Sequence, residues 1–276
     1  MTSMYCRVVT TQRELDDALR VRWAVFGEEL QLMPGRAPPT QREVNGFDTL
    51  PTTFHLVVYA ASEPVATVRV LLPNPEVAHA SGGELGVEME QRLDLSDLAG
   101  PGQVVAEAAR FCVRRPWRHT DAVVRLQAAF YEESRRRGIT HWLAAANLET
   151  DSEVDARLIQ QAIAHRGWLS PLWRVRTPGA FVTPVVSSAP FYAPEERARA
   201  LEGWWDTLRL PRSPALVARN MGARFISEPL YDASLHRFTL PLIAALDDIP
   251  TRTLERFSAL MPDGGDRTGE SVLPGR

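Results

Sequence analysis

The sequence predicts a soluble α/β domain, and three observations support this prediction. Extended apolar segments alternate with segments of helical periodicity along most of the chain. The composition is ordinary for a globular protein, with 45% hydrophobic and 24% charged residues among 276. No Gly-, Ser- or Pro-rich linker divides the chain. We therefore expect one domain over residues 1–246, with an insertion at 148–212 and a partly disordered tail at 247–276.

The first part of the chain predicts a strand, a helix and a hairpin. Thr11 and Glu14 have the spacing of a capping box, which places a helix start after the first strand. A turn-sized linker joins two β-branched segments, as in a β-hairpin. The predicted elements are a strand at Tyr5–Val9, a helix at Leu15–Leu30, a loop at residues 33–46, strands at Thr53–Ala60 and Val65–Leu72, and a short helix near Leu85–Leu93.

The second part alternates helices and strands, with its least regular pattern in the insertion. Gly138 and Gly222 each follow a helical pattern and predict its C-terminal end. The predicted helices are Asp121–Arg137, Asp151–His165, Glu195–Leu208 and Pro214–Met221, with a short helical segment after Pro250. The predicted extended segments are Val104–Val113, Ile139–Ala146, Arg224–Ile226 and Leu235–Ala244, with one or two strands between Trp168 and Tyr192.

Composition excludes several classes of function. A net charge of −3 argues against nucleic acid as a partner. All 31 basic residues are arginine, so no lysine can form a Schiff base or serve a P-loop. Cys6 and Cys112 lie too far apart in sequence for a metal-ligand pair, and we expect no metal. No window approaches the length of a membrane span and no signal peptide is present, which predicts a cytoplasmic protein.

A basic turn connects a predicted strand with the long helix that follows it. The segment from Arg110 to His119 contains four arginines and no acidic residue. Arginine side chains beside a helix N-terminus can bind phosphate. A solvated loop with scattered arginines is the alternative interpretation, and the residues alone leave both open.

The strand before this turn contains Glu107 and Arg110. Their spacing of three predicts that they point to opposite faces of the sheet. A carboxylate on an apolar strand either pairs with an arginine or titrates near neutrality as a base. His55 lies on the hairpin, where a hydrogen-bonded core histidine is commoner than a catalytic one.

Four motifs in order resemble the autoinducer (acyl-homoserine lactone) synthases and the related N-acyl amino acid synthases of the GNAT acyltransferase superfamily. The resemblance covers about residues 1–147. It implies a twisted mixed sheet of about seven strands, flanked by helices and interrupted by an insertion before the last helix. It also implies that parallel strands 4 and 5 splay apart to admit the pantetheine arm of the acyl donor. The motifs are R-x-x-x-F-x-E-E at Arg22–Glu29, N-G-F-D at Asn45–Asp48, V-A-T-V-R-V at Val65–Val70 and E-A-A-R-F-x-V at Glu107–Val113.

The resemblance also assigns roles to residues. It implies a charged cluster at the catalytic site, a substrate-binding group and a loop that holds the phosphopantetheine of the acyl donor. The usual glycines are absent from that loop, so its backbone approaches phosphate less closely. Carrier-protein phosphopantetheine and coenzyme A both remain possible donors. The catalytic residues so implied are Arg22, Asp48, Arg69, Glu107 and Arg110; the loop residues are Arg114, Arg115, Arg118, His119 and Thr120; and Phe26 matches the family's phenylalanine. We expect Phe26 to bind substrate together with Trp23 and His55.

The expected reaction is acyl transfer from an acyl-phosphopantetheine thioester to a small-molecule amine, with Glu107 as the base. The region after Phe26 lacks the family's tryptophan, which favours an amine other than S-adenosylmethionine. Residues 214–221 lack the tyrosine that many GNAT enzymes use as an acid, and Tyr231 is a weak substitute. Three alternatives remain: an acyl-homoserine lactone synthase using S-adenosylmethionine, a small-acyl coenzyme A acetyltransferase, or a non-catalytic module that binds an acyl carrier. The protein is expected to be a monomer or homodimer, and an acyl carrier protein is a candidate partner.

Seven aromatic residues lie within 38 positions of the insertion. They could form the wall of an acyl-chain tunnel, or belong to a local core or an interface. They are Trp168, Trp173, Phe181, Phe191, Tyr192, Trp204 and Trp205.

Overall fold

A computed structural model of the protein describes residues 3–33, 40–177 and 187–260. These residues form a mixed sheet with helices on both faces. The strands are β1 (Met4–Val8), β2 (Thr53–Ala60), β3 (Glu63–Leu71), β4 (Val105–Val113), β5 (His141–Asn147), β6 (Arg224–Phe225), β7 (Leu230–Asp232) and β8 (Arg237–Ala245). The helices are α1 (Gln12–Arg22), α2 (Pro75–Ser81), α3 (Ala122–Arg136), α4 (Glu153–His165), α5 (Pro194–Leu201), α6 (Arg212–Met221) and α7 (Thr251–Ser258).

The sheet has eight strands, and the predicted α/β class is confirmed. Seven strands follow the order β1-β2-β3-β4-β5-β8-β6, while the short β7 pairs with β8 beside this path. Of the pairs in the described residues, β4 and β5 alone are parallel. None of the helices in the described ranges is long and apolar enough to span a membrane.

Strands β4 and β5 separate part-way along their length, as expected for a sheet that admits a substrate arm. Their parallel pairing runs from Val105 opposite His141 to Glu107 opposite Leu143 and then ends, although both strands continue. Ala145 lies on the part of β5 that pairs with β8 but no longer with β4, and it is exposed in the middle of the sheet. A gap therefore opens between the two strands directly after Glu107.

A β-bulge lies on β4 at the same level. Thr67 is opposite Cys112 but Arg69 is opposite Ala109, so β4 contains one extra residue there. Arg110 takes the left-handed backbone conformation, with φ of 56°. The bulge turns the Arg110 side chain toward Glu88. The charge of Glu88 also raises the pKa of Glu107. The prediction that Arg110 and Glu107 face opposite sides is wrong, because strict alternation holds only in a regular strand.

The two faces of the sheet have different surroundings. One face packs against α3 through aliphatic side chains such as Val58 and Val70. On the other face, which packs against α1, three polar residues stand at successive strands: His55, Arg69 and Glu107. All three are buried. Charges placed inside a sheet layer need partners, and the loops around α1 supply them.

The first helix changes type along its length. It begins at the predicted Thr11–Glu14 capping box, and Trp23–Glu29 continue it as a π-helix. The backbone N–H of Leu30 accordingly donates to the carbonyl of Val25 (3.0 Å). A Cβ atom at Gly27 would lie 2.7 Å from the Trp23 ring, so this turn needs glycine. π-Helical turns are rare in proteins, and those that occur often lie at functional sites.

Several predicted elements differ from the structure. The segment Leu85–Leu93 contains only a 3₁₀ turn at Glu88–Gln91, whereas the helix lies earlier, at α2. The predicted helix Glu195–Leu208 ends at Leu201, and β7 was missed because it has only three residues. The described part of Trp168–Tyr192 contains no strand, and its residues form only two isolated β-bridges with other parts of the chain. Loop residues 34–39, Phe181 and tail residues 261–276 lie outside the described residues.

Two buried aspartates at the start of α4 fasten the later part of the insertion to this helix. Asp151 accepts hydrogen bonds from the hydroxyls of Ser187 and Ser188 and from two backbone N–H groups. These bonds overcome the effect of burial and hold the pKa of Asp151 well below its usual range. Asp155 receives both N–H groups of the Arg197 fork, at 2.7 and 3.0 Å. The insertion is thus held by charge-assisted bonds as well as by apolar packing.

The insertion's aromatic residues mostly serve packing. Tyr192 belongs to the main core, and Trp168, Phe191 and Trp205 pack against it. Trp173 packs against a second cluster of apolar residues, whereas Trp204 remains 58% exposed. The core interpretation therefore accounts for five of the six described aromatics. Helix α7 likewise places Phe257 in the main core, so the chain remains part of the fold beyond residue 246.

Candidate functional site

A charged cluster occupies the α1 face of the sheet, beside the gap between β4 and β5. It contains three arginines and four carboxylates from helix, loop and strand segments. All seven side chains are largely buried. We refer to them as the charged cluster: Arg22, Glu43, Asp48, Arg69, Glu88, Glu107 and Arg110.

Arg22, the last residue of α1, lies at the base of the cluster and is completely buried. Its Nη1 and Nη2 atoms donate to the two Asp48 carboxylate oxygens at 2.6 and 3.1 Å. Its Nε donates to Glu43. A fork that binds two carboxylates in this way fixes the loop of residues 43–48 against the helix.

Asp48 links the two fully buried arginines. Its Oδ1 also accepts a hydrogen bond from Arg69 Nη1 (3.1 Å), and its Oδ2 accepts one from the Asn45 backbone (2.6 Å). Burial alone would raise its pKa, but the Arg22 and Arg69 charges hold the pKa of Asp48 below the ordinary value. His55 Nε2 lies 3.0 Å from the Asp48 backbone oxygen, and burial lowers the pKa of His55.

Arg110 closes the cluster on the side of the gap. Its side chain is 24% exposed, the most accessible of the three arginines. Nε donates to Glu43 (3.2 Å), and Nη2 donates to Glu88 (3.2 Å). Glu88 also accepts from Arg69 and from the Asn45 side-chain amide (2.9 Å). Burial opposes ionisation of Glu88, but Arg110 and Arg69 lower its pKa.

Glu107 differs from the other carboxylates of the cluster. It is 4% exposed, and its Oε2 accepts a hydrogen bond from the Met89 backbone N–H (2.7 Å). No arginine in the described residues forms a salt bridge with it. Burial, followed by repulsion from the Glu88 carboxylate, raises the pKa of Glu107 to about 7. This carboxylate exchanges its proton near neutral pH, as a general base must.

The balance of charge in the cluster explains this difference. Three arginines can neutralise three of the four carboxylates, and they contact Glu43, Asp48 and Glu88 directly. Glu107 receives only a neutral N–H group. The fourth carboxylate therefore holds its proton most readily.

The basic loop after β4 lies beside the end of the π-helix. Arg114 pairs with Glu63, and Arg118 pairs with Glu29. The backbone N–H of Arg115 donates to the other Glu29 oxygen at 2.9 Å. The loop that contains no acid in sequence is thus partly neutralised in space.

The remaining predicted residues lie around these two features. His119 is exposed, and Thr120 accepts the Ala122 N–H at the start of α3 (3.3 Å). Trp23 is buried and donates from Nε1 to Glu28 (3.2 Å), while Phe26 packs on a small cluster that includes Cys112. These positions make Phe26 the more accessible candidate for substrate contact.

Sequence reasoning identified five members of the charged cluster and missed Glu43 and Glu88. The sequence analysis assigned no role to Glu29, which it named only as the last residue of the motif R-x-x-x-F-x-E-E. None of these residues lies on a strand, and their partners are 19 to 89 positions away. The one available signal was physical, since buried arginines on strands require acidic partners from elsewhere.

Comparisons with known proteins agree with this architecture. Residues 21–128 match the family described as acetyltransferase (GNAT) domain. The coenzyme A-dependent acyl-homoserine lactone synthase BjaI, solved with MTA, has 15% sequence identity and a TM-score of 0.53, covering 95% of this chain and 92% of that chain. BjaI solved with SAM and isopentyl-CoA gives a TM-score of 0.52, with the same identity and coverage.

The N-acyl amino acid synthase FeeM from uncultured soil microbes is a further structural match. It has 9% identity and a TM-score of 0.49, covering 90% of this chain and 92% of that chain. No curated protein sequence matches the chain. The predicted resemblance is confirmed: residues 21–128 match the GNAT acetyltransferase domain, and the fold of the chain is similar to that of the acyl-homoserine lactone synthase BjaI.

Proposed function

We propose that the protein is an N-acyltransferase. It moves an acyl group from a carrier-protein or coenzyme A thioester to the amine of an amino acid or a related small molecule. The observation that carries this proposal is Glu107, a buried carboxylate with a pKa of about 7, placed where β4 and β5 begin to separate. A base of this strength beside an open gap suits deprotonation of an incoming ammonium group.

The proposed reaction begins with transfer of a proton from the acceptor ammonium to Glu107, directly or through a water. The free amine then attacks the thioester carbonyl carbon, forming a C–N bond and a tetrahedral oxyanion. Collapse of this species breaks the C–S bond and releases a thiolate. The second nitrogen proton passes to the thiolate, and Glu107 later returns its own proton to solvent. The products are an amide, a thiol and one proton.

The parts around Glu107 support this chemistry. The bulge at Arg110 interrupts the regular β4 ladder, and backbone N–H groups released from a ladder can stabilise an oxyanion. The gap provides a path for the pantetheine arm. The cluster arginines shape the acceptor side, where the partly exposed Arg110 lies nearest to solvent.

The test is release of free thiol, combined with mass spectrometry of the products. Purified protein receives acyl-carrier or acyl-coenzyme A thioesters of several chain lengths, each with a pool of amino acids and S-adenosylmethionine. We expect thiol release that depends on the amine, together with the mass of an N-acyl amino acid. Omission of the amine pool controls for simple thioester hydrolysis.

Other results would contradict the proposal in distinct ways. A lactone product that requires S-adenosylmethionine would identify an acyl-homoserine lactone synthase. Binding of an acyl carrier without any thiol release would identify a non-catalytic module.

A further inference from the structure

The basic loop is largely neutralised by the protein itself. Of its three arginines, Arg114 pairs with Glu63 and Arg118 pairs with Glu29. The Arg115 side chain is exposed, and no carboxylate in the described ranges forms a salt bridge with it. One net positive charge therefore remains for a ligand, although three arginines are present.

Glu29 uses the donor groups that a phosphate oxygen would otherwise use. One of its oxygens accepts the Arg115 backbone N–H at 2.9 Å, and the other receives the Arg118 guanidinium. A backbone N–H combined with a guanidinium is a common arrangement for binding an anion. Glu29 is 20% exposed and reaches the loop from the end of the π-helix. If the basic loop binds the donor phosphate, as the proposed function requires, Glu29 is an anion already placed on two of the loop's donor groups.

If the protein is an acyltransferase as proposed, the charges of this loop determine which acyl donor it binds best. A phosphopantetheine arm attached to a carrier protein brings one phosphodiester charge. Coenzyme A brings a diphosphate and a further phosphate, which here would meet two carboxylates beside the arginines. We propose that Glu29, assisted by Glu63, is a specificity-determining residue that fits the loop to a single phosphodiester and selects against coenzyme A.

The test measures ligand binding without turnover, so its result is independent of whether acyl transfer occurs. Coenzyme A, dephospho-coenzyme A and 4′-phosphopantetheine are titrated by calorimetry at low salt into the wild type, Glu29→Gln and Glu63→Gln. Glutamine keeps an oxygen acceptor for the Arg115 N–H and removes only the charge. Glu132→Gln is the matched control, because Glu132 is exposed on α3 about 15 Å along the helix from its start.

We expect the wild type to bind coenzyme A no more tightly than 4′-phosphopantetheine, since the extra phosphates meet carboxylates beside the arginines. Glu29→Gln should tighten coenzyme A binding by about tenfold and 4′-phosphopantetheine binding by less than about threefold. Glu63→Gln should act in the same direction more weakly, because Glu63 is 50% exposed whereas Glu29 is 20% exposed. Glu132→Gln should change neither affinity.

Three results would overturn the inference. The first is a wild type that prefers coenzyme A over 4′-phosphopantetheine by about threefold or more. The second is an equal effect of Glu29→Gln and Glu132→Gln. The third is no binding of any of the three probes by Glu29→Gln. Failure of acyl transfer with intact binding selectivity would instead count against the proposed function alone.

Discussion

Replacement of Glu107 by Gln should lower activity by about a hundredfold or more. It should also stabilise the folded protein at neutral pH. Glu107 ordinarily titrates near 4.5, and in the fold its pKa is raised to about 7. Between these values the unfolded chain releases a proton that the folded chain keeps. The wild type therefore loses stability as the pH rises from about 5 to 7, and the loss is complete above the folded pKa.

The size of this effect follows from the two pKa values. At 1.36 kcal/mol per pH unit, the interval from 4.5 to about 7 corresponds to about 3 kcal/mol. The neutral glutamine amide keeps an acceptor for the Met89 N–H and carries no buried charge. Glu107→Gln should therefore be more stable than the wild type by up to about 3 kcal/mol at pH 8 and by about 1 kcal/mol at pH 5.

Two assays check this prediction together. Urea unfolding followed by tryptophan fluorescence at pH 5, 6, 7 and 8 gives the free energy of unfolding for both proteins. Thiol release at saturating amine should fall by about a hundredfold or more in the variant. Wild-type activity should rise with pH through about 7. Equal pH dependence of stability in both proteins, or near-normal turnover by the variant, would refute the assignment of Glu107 as the base.

Three further substitutions test the surroundings of the site. Glu88→Gln removes the like charge beside Glu107 and should move the midpoint of the pH–rate profile below 7, as a pH series would show. Arg22→Met leaves buried carboxylates without their partner and should cost about 3–5 kcal/mol in urea unfolding. Gly27→Ala places a Cβ 2.7 Å from the Trp23 ring and should cost about 1–3 kcal/mol, measured by thermal unfolding. An unchanged pH–rate profile of Glu88→Gln would contradict the repulsion between Glu88 and Glu107. Unchanged stability of Arg22→Met or Gly27→Ala would contradict the contacts described for that residue.

The strand elements could be predicted because their patterns are local. The β2–β3 hairpin and β4 are dense in β-branched and apolar residues, and the structure places them within two residues of the predicted bounds. The same regularity misled the prediction at Arg110. A bulge has no strong signal in a single sequence, and it changes which face every later side chain occupies.

The composition of the charged cluster was only partly predictable, because its acidic members come from loops. Arg69 and Glu107 lie on strands, where a charge in an apolar pattern is conspicuous. Glu43 and Glu88 lie in segments without periodicity, and nothing local distinguishes them from solvated glutamates. The basic loop shows the same limit, since its partner Glu29 precedes Arg118 by 89 positions. Sequence spacing can place residues on one element but cannot pair loops that meet in the fold.

One continuous helical segment joins the two parts of the candidate site. Its α-helical part ends at Arg22, which binds Asp48 of the charged cluster, and its π-helical part ends at Glu29, which binds the basic loop through Arg115. Glu29 lies seven positions after Arg22, and the π-helix that contains Gly27 fills the interval between the two contacts. A donor phosphate that displaces Glu29 would pull on the same segment that holds Arg22. On the proposed function, donor binding at Glu29 would therefore act on a helical segment whose ends are both fixed by ion pairs.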